Sequence, residues 1–132
     1  MKKFLLLPLL MITCLCFAQD AKEIIGKPVK IGKLLVAQYD FQNRMDWVYA
    51  RAACAKLGKG WRLPTIDELY YLSLNKYRIG NFANDAYWSS SEDGNYAWSQ
   101  IIMIGKEYSL NVGNRFKQGK YENYCVRAVK SL

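Results

Sequence analysis

From Asp46 onward the apolar residues recur at helical steps. Trp47, Ala50, Cys54 and Leu57 fall three, four and three positions apart, which lines them on one face of a first helix. Gly58 and Gly60 follow where a C-terminal cap belongs, so Cys54 is expected to point inward. A second helix has a sharper start. In Thr65-Ile66-Asp67-Glu68 the threonine hydroxyl can accept from the Glu68 amide while the Glu68 carboxylate accepts from the Thr65 amide, a capping box. Asp67 adds negative charge at the positive helix end. Ile66, Leu69, Leu72 and Leu74 supply the apolar face, and Pro64 keeps Leu63 extended just before it.

Beyond an Asn- and Gly-containing loop the period changes to two. Ala86 to Ser91 and Tyr96 to Ile102 read as strands joined by Glu92-Asp93-Gly94-Asn95, a four-residue hairpin loop. Bulge-free pairing sets Tyr96 opposite Ser91 and Trp98 opposite Ser89. Tyr87, Ser89, Ser91, Tyr96, Trp98 and Gln100 then share one face, and Trp88, Ala97, Ser99 and Ile101 the other. A turn at Met103 to Lys106 leads to a further strand, Glu107 to Val112. Its Tyr108, Leu110 and Val112 join the Trp88 face, which reads as core, while Ser109 and Asn111 join the Tyr87 face. An irregular stretch from Gly113 to Asn123 precedes a last strand, Tyr124 to Val129. Upstream, Leu34 to Phe41 has strand composition, and Lys22 to Lys33 reads as an extended lead-in. The order of strand, two helices and a run of antiparallel strands is α+β.

The first eighteen residues change the picture of where this domain works. Lys2 and Lys3 precede a nearly unbroken apolar run from Phe4 to Phe17, and Ala18 stands at a small-residue exit before Gln19 and Asp20. That is the order of a secretory signal peptide, too short and too interrupted by Pro8 for a permanent span. Thr13 and Leu15, ahead of Cys14 and Cys16, do not fit a lipobox. The expected organisation is a signal over 1–18, a lead-in over 19–33 and one domain over 34–132. The expected location is the periplasm, the cell surface or the medium. The charge of +8 falls to +6 once Lys2 and Lys3 leave, which favours anionic polymers as partners; nucleic acid fits the charge but not the compartment. Cys54 and Cys125 are the cysteines that remain, and two cysteines in an oxidising compartment are expected to pair. A reactive thiol pair would want C-x-x-C spacing, which is missing. The chain contains no histidine, which excludes Ser-His-Asp triads, Cys-His dyads and histidine-ligated zinc. No cofactor is expected.

Several segments together resemble one bacterial family: Gly60-Trp61-Arg62-Leu63-Pro64-Thr65 with Glu68-Leu69, Tyr87-Trp88-Ser89-Ser90-Ser91, Ala97-Trp98, and Cys125-Val126-Arg127. This is the Lcl C-terminal domain-like family, named for the C-terminal domain of a collagen-like adhesin of Legionella, and the resemblance covers roughly Phe41 to Val129. It implies a C-type lectin-like fold, distantly similar to the formylglycine-generating, sulfatase-modifying proteins. It also implies adjacent first and last strands, and a disulfide from the first helix to the last strand, the places of Cys54 and Cys125. The Glu-Pro-Asn, Gln-Pro-Asp and Trp-Asn-Asp signatures of calcium-dependent sugar binding are missing. So is the closely spaced cysteine pair of the formylglycine-generating enzymes.

These readings leave a short set of candidate residues. Tyr87, Tyr96 and Trp98, with Asn111, form an aromatic and polar face suited to stacking on sugars, unless loops bury it as a second core. Arg115, Lys117 and Lys120 lie in the irregular stretch, where they could hold an acidic polysaccharide or simply be solvated. Glu92, Asp93 and Asn95 carry calcium-ligand oxygens, but acidic residues also form ordinary turns; no metal is assigned. Trp61, Arg62, Pro64, Thr65, Glu68 and Trp88 read as structural, with Arg62 bracing the loop against a carboxylate or carbonyl. The expected function is noncatalytic recognition of a glycan or another surface polymer. The alternatives are a structural or protein-interaction envelope domain and, third, a sulfatase-modifying-type enzyme.

Overall fold

A computed structural model describes residues 21–105 and 114–132. The signal segment, the strand expected over Glu107–Val112 and Asn111 lie outside the described residues.

Both predicted helices form, each with the cap its sequence demands. Helix α1 (Trp47–Lys56) starts at Asp46, whose side chain accepts from the Tyr49 amide, and it buries Trp47, Ala50 and Cys54. Helix α2 (Ile66–Leu74) carries the capping box in full, with both reciprocal bonds between Thr65 and Glu68. It buries Leu69, Leu72 and Ser73, whereas Leu74 faces solvent. Arg62 grips the start of α2 as a fork, NH1 and NH2 donating to the two Glu68 carboxylate oxygens at 2.6 and 3.0 Å. The same guanidinium reaches Leu63 O and Ser131 Oγ. Arg62 therefore braces the loop as the sequence indicated. A short helix, α3 (Lys76–Ile79), occupies part of the segment read as a loop.

Two sheets complete the fold. The first has the order β1 (Val29–Ile31), β2 (Leu34–Val36), β7 (Val129–Ser131), β3 (Trp61–Arg62), all antiparallel. The last strand lies beside β2, Val36 opposite Val129. The lead-in is not simply extended: residues 21–25 are helical, and β1 turns back into β2 through Gly32, whose positive φ a glycine adopts without steric cost. The strand expected over Leu34–Phe41 ends at Val36, as β2, and regular pairing at the other end begins only at Val129. Between them single bonds continue the match, Ala37 N to Ala128 O and Phe41 N to Val126 O.

The second sheet has the order β4 (Asp85–Asp93), β5 (Tyr96–Ile102), β6 (Arg115–Gly119). The stretch holding Arg115 and Lys117 is thus a strand paired along β5 rather than a loop. The hairpin keeps the expected register at Tyr87↔Gln100 and Trp88↔Ser99 but not at its tip, where Glu92 faces Ala97 and Asp93 faces Tyr96. Ser89, Ser90 and Ser91 together oppose Trp98. Their polar groups are engaged outside the ladder: Ser89 O accepts from Trp47 Nε1, Ser90 N donates to Pro64 O, and Ser91 Oγ accepts from Ile66 N. A bulge of two extra residues moves the register by an even number, so the faces are not exchanged.

The sheet lies between the two long helices and buries both faces at its inner end. Trp88 and Ala97 pack with Trp47, Ala50, Cys54, Trp61, Leu63 and Val126 on the α1 side. Tyr87 and Ile102 pack with Leu69, Leu72, Ile79 and Val129 on the α2 side. The expected bridge between Cys54 and Cys125 does not form; both are free thiols. Neighbouring residues of an extended chain point to opposite sides. Val126 takes the place facing Cys54, which turns Cys125 into the other cluster, where its thiol donates towards Asp85 Oδ2 at 3.6 Å.

Candidate functional site: the open end of the three-stranded sheet

The face read as a possible platform is divided by α2. Tyr87, Gln100 and Arg115 form one cross-strand row at its inner end, and α2 covers that row. Tyr87 and Gln100 are wholly buried, and the Arg115 guanidinium sits 5.3 Å from the Tyr70 ring. Tyr87 is therefore core and cannot be a ligand contact. Its hydroxyl donates to Asp40 and accepts from the Ala83 amide.

The other two rows remain open. Asp93, Tyr96 and Gly119 lie side by side across the sheet, and Trp98 stands beside Lys117 in the next row. Residues directly opposite one another share a face, at about 4.5–5.5 Å between their Cα atoms. Tyr96 is half exposed and Trp98 partly so. Lys117 Nζ stands 5.7 Å from the Trp98 ring centre and donates to Asp93 Oδ2 at 2.7 Å. The hydrogen bond from Lys117, reinforced by its charge, holds the Asp93 carboxyl below the usual range. Of the residues proposed from sequence, Tyr96, Trp98 and Lys117 are brought together.

The remaining cations are dispersed. Lys120 lies towards the opposite face, bonded to Glu92 at 2.9 Å with its ammonium 4.1 Å from the Trp47 ring. Arg115 is mostly buried and pairs with Asp67 at 3.1 Å. Arg115, Lys117 and Lys120 thus each meet a carboxylate and form no continuous basic strip. The same pairing occupies Glu92 and Asp93, the carboxylates that could have met calcium.

Two residues without an assigned role in the sequence become prominent. Tyr121 is 82% exposed, in the turn that follows β6. Arg127 is completely buried, with Nε donating to Asp40 Oδ1, NH1 to Ala37 O and Gly80 O, and NH2 to Gly80 O and Asn81 O. Every donor is satisfied inside the protein, so Arg127 ties three chain segments together rather than facing a ligand. Burial raises the Asp40 carboxyl above its ordinary value against the opposing pull of Arg127. Neither cysteine is activated. Burial pushes the Cys54 thiol up to about 12, and burial with the nearby Asp85 charge pushes Cys125 up to about 11.

A broader groove of about 800 Å³ runs between residues 21–24, residues 40–45 and α1. Two of the charged groups along it are already engaged, Arg44 with Asp85 and Asp40 with Arg127.

Among solved structures this chain is similar to the crystal structure of EMS16, an antagonist of the collagen receptor integrin alpha2beta1 (GPIa/IIa). The TM-score is 0.54 at 13% identity, over 80% of this chain and 97% of that one. The fold is C-type lectin-like. The pairing of β2 with the last strand, β7, is the closure that this fold implied. No protein-family model and no curated protein matches the sequence.

Proposed function

We propose that this chain is an exported, noncatalytic binding module that recognises a glycan or another surface polymer at the open end of its three-stranded sheet. The observation that carries the reading is the grouping of Tyr96 and Trp98 beside the Lys117–Asp93 pair on one uncovered face. Aromatic rings offer an apolar surface for the C–H face of a sugar, and a neighbouring ammonium and carboxylate donate to and accept from its hydroxyls. The signal-like first eighteen residues and the resemblance to the Lcl C-terminal domain-like family support an envelope or extracellular setting. The raised thiols and the absence of histidine support a noncatalytic role.

A second reading, a protein-interaction module, draws on the similarity in fold to EMS16, an antagonist of the collagen receptor integrin alpha2beta1. A glycan-array screen of the exported protein separates the two. Glycan signals that disappear in the Tyr96→Ala/Trp98→Ala double variant support sugar recognition. An array without signal, or signals the double variant retains, would overturn it at this face.

A further inference from the structure

We infer that the ligand seat is built for a neutral pyranose, and that Tyr121, positioned by Gly119, forms one of its walls. The inference rests on the glycan reading above and deepens it.

Gly119 stands directly opposite Tyr96 in the β5–β6 ladder. A Cβ at this position would lie 2.5 Å from Tyr121 Cε1 and 3.0 Å from Cδ1 and Cζ. The Tyr121 ring therefore rests against the backbone of Gly119, where any side chain would displace it. Since β6 is ordinary strand and the nearest atoms a Cβ would meet are those of the Tyr121 ring, an added methyl would act by pushing that ring aside. The turn is held at both ends: Lys120 N donates to Asn95 O, and Glu122 N to Gly119 O, each at 3.0 Å. A large ring exposed over 82% of its surface is thus placed one strand away from the half-exposed Tyr96 ring. Lys117 and Asp93 supply a donor and an acceptor along the same edge.

Charge decides the ligand class. Among the described residues, the Lys117–Asp93 pair leaves the seat with no net charge, and Arg115 and Lys120 are held by Asp67 and Glu92 away from it. An acidic polymer would have to break one of these pairs to gain a cation. A neutral sugar uses the pair as it stands, and because lysines already hold Glu92 and Asp93, it needs no metal bridge.

The test measures binding of the exported protein to immobilised dextran, mannan and heparin, with and without EDTA and from about 0.05 to about 0.5 M salt. We expect binding to a neutral polysaccharide that is insensitive to EDTA and changes little with salt. Tyr121→Ala and Gly119→Ala should each weaken it about 10-fold or more, while Tyr121→Phe retains most of it. Thermal midpoints establish that the variants are folded, and Tyr121→Ala, at an exposed position, is the safeguard should Gly119→Ala unfold. Neutral binding unchanged in both Tyr121→Ala and Gly119→Ala would overturn the proposed wall. Binding confined to heparin and abolished by salt would overturn the neutral class while leaving glycan recognition standing. Binding to none of the three, together with an empty glycan array, would remove the underlying reading itself.

Discussion

Arg127 Nε donates to Asp40 Oδ1 at 2.7 Å inside a largely buried network that also holds the Phe82 ring 4.2 Å from the guanidinium carbon. The pair joins the segment after β2, the segment after α3 and the chain entering β7. Removing the cation would strand a carboxylate already raised by burial and release three backbone carbonyls. Arg127→Met is expected to cost about 3–5 kcal/mol, the range for breaking a buried ion pair. Chemical denaturation checks this; a loss below about 1 kcal/mol would show that the network is replaceable.

The two tryptophans of the hairpin should separate by their environments. Trp88 is wholly buried, donates Nε1–H to Met45 O and meets the Tyr124 ring edge-on at 4.9 Å. Trp88→Ala should lose about 3–5 kcal/mol. Trp98 is partly exposed and contacts Lys117, so Trp98→Ala should lose only about 1–2 kcal/mol. Thermal or urea unfolding gives both values, and the reverse order would contradict the assignment of Trp88 to the core face and Trp98 to the open one.

Glu68 sets an acid limit on stability. Hydrogen bonds from Arg62, more than any other influence, lower its carboxyl below 4.5, with burial opposing and the Thr65 backbone assisting. A carboxyl lowered in the folded state contributes stability above its unfolded value and loses it as pH falls through the folded value. Glu68→Gln should therefore cost about 1 kcal/mol or less at neutral pH, given its partial exposure, and flatten the stability curve below about pH 4.5. An unchanged acid limb in that variant would contradict this assignment.

The cysteines give a chemical check on the core. Native protein should react slowly with iodoacetamide at Cys54 and Cys125, because both thiols are raised and Cys54 is buried. Unfolding should make both react. Nonreducing peptide mapping that recovers a linked Cys54–Cys125 peptide would contradict the free thiols.

Local rules made much of this fold legible. The Thr65–Glu68 box and the Trp47–Ala50–Cys54 face depend on residues a turn or so apart, and both appear as read. The hairpin tip depends on something else. Ser89 to Ser91 leave the regular ladder and bond with Trp47, Pro64 and Ile66, all remote in sequence. The same kind of remote packing buried Tyr87 under α2, and alternation at Cys125–Val126 sent one thiol away from the other. Half of the proposed platform was legible, because strand alternation placed Tyr96 and Trp98 together. Lys117 was noted only as one member of a basic loop, since its strand was not visible in the pattern. Tyr121 was missed. Its signal was the glycine two positions earlier, which acquires meaning only once Tyr96 is known to lie opposite.

Trp98 also provides the most direct measurement of the central claim, that ligand binds at the open sheet end. Trp47, Trp61 and Trp88 are buried at 3%, 8% and 0% exposure, so Trp98 is the tryptophan placed to sense a ligand there. Titrating an array-selected glycan into the protein should shift or quench tryptophan emission in a saturable manner. The response should be lost in Trp98→Phe, with calorimetry checking that the variant still binds. A response of the same midpoint and amplitude in Trp98→Phe would place the ligand elsewhere and contradict the account.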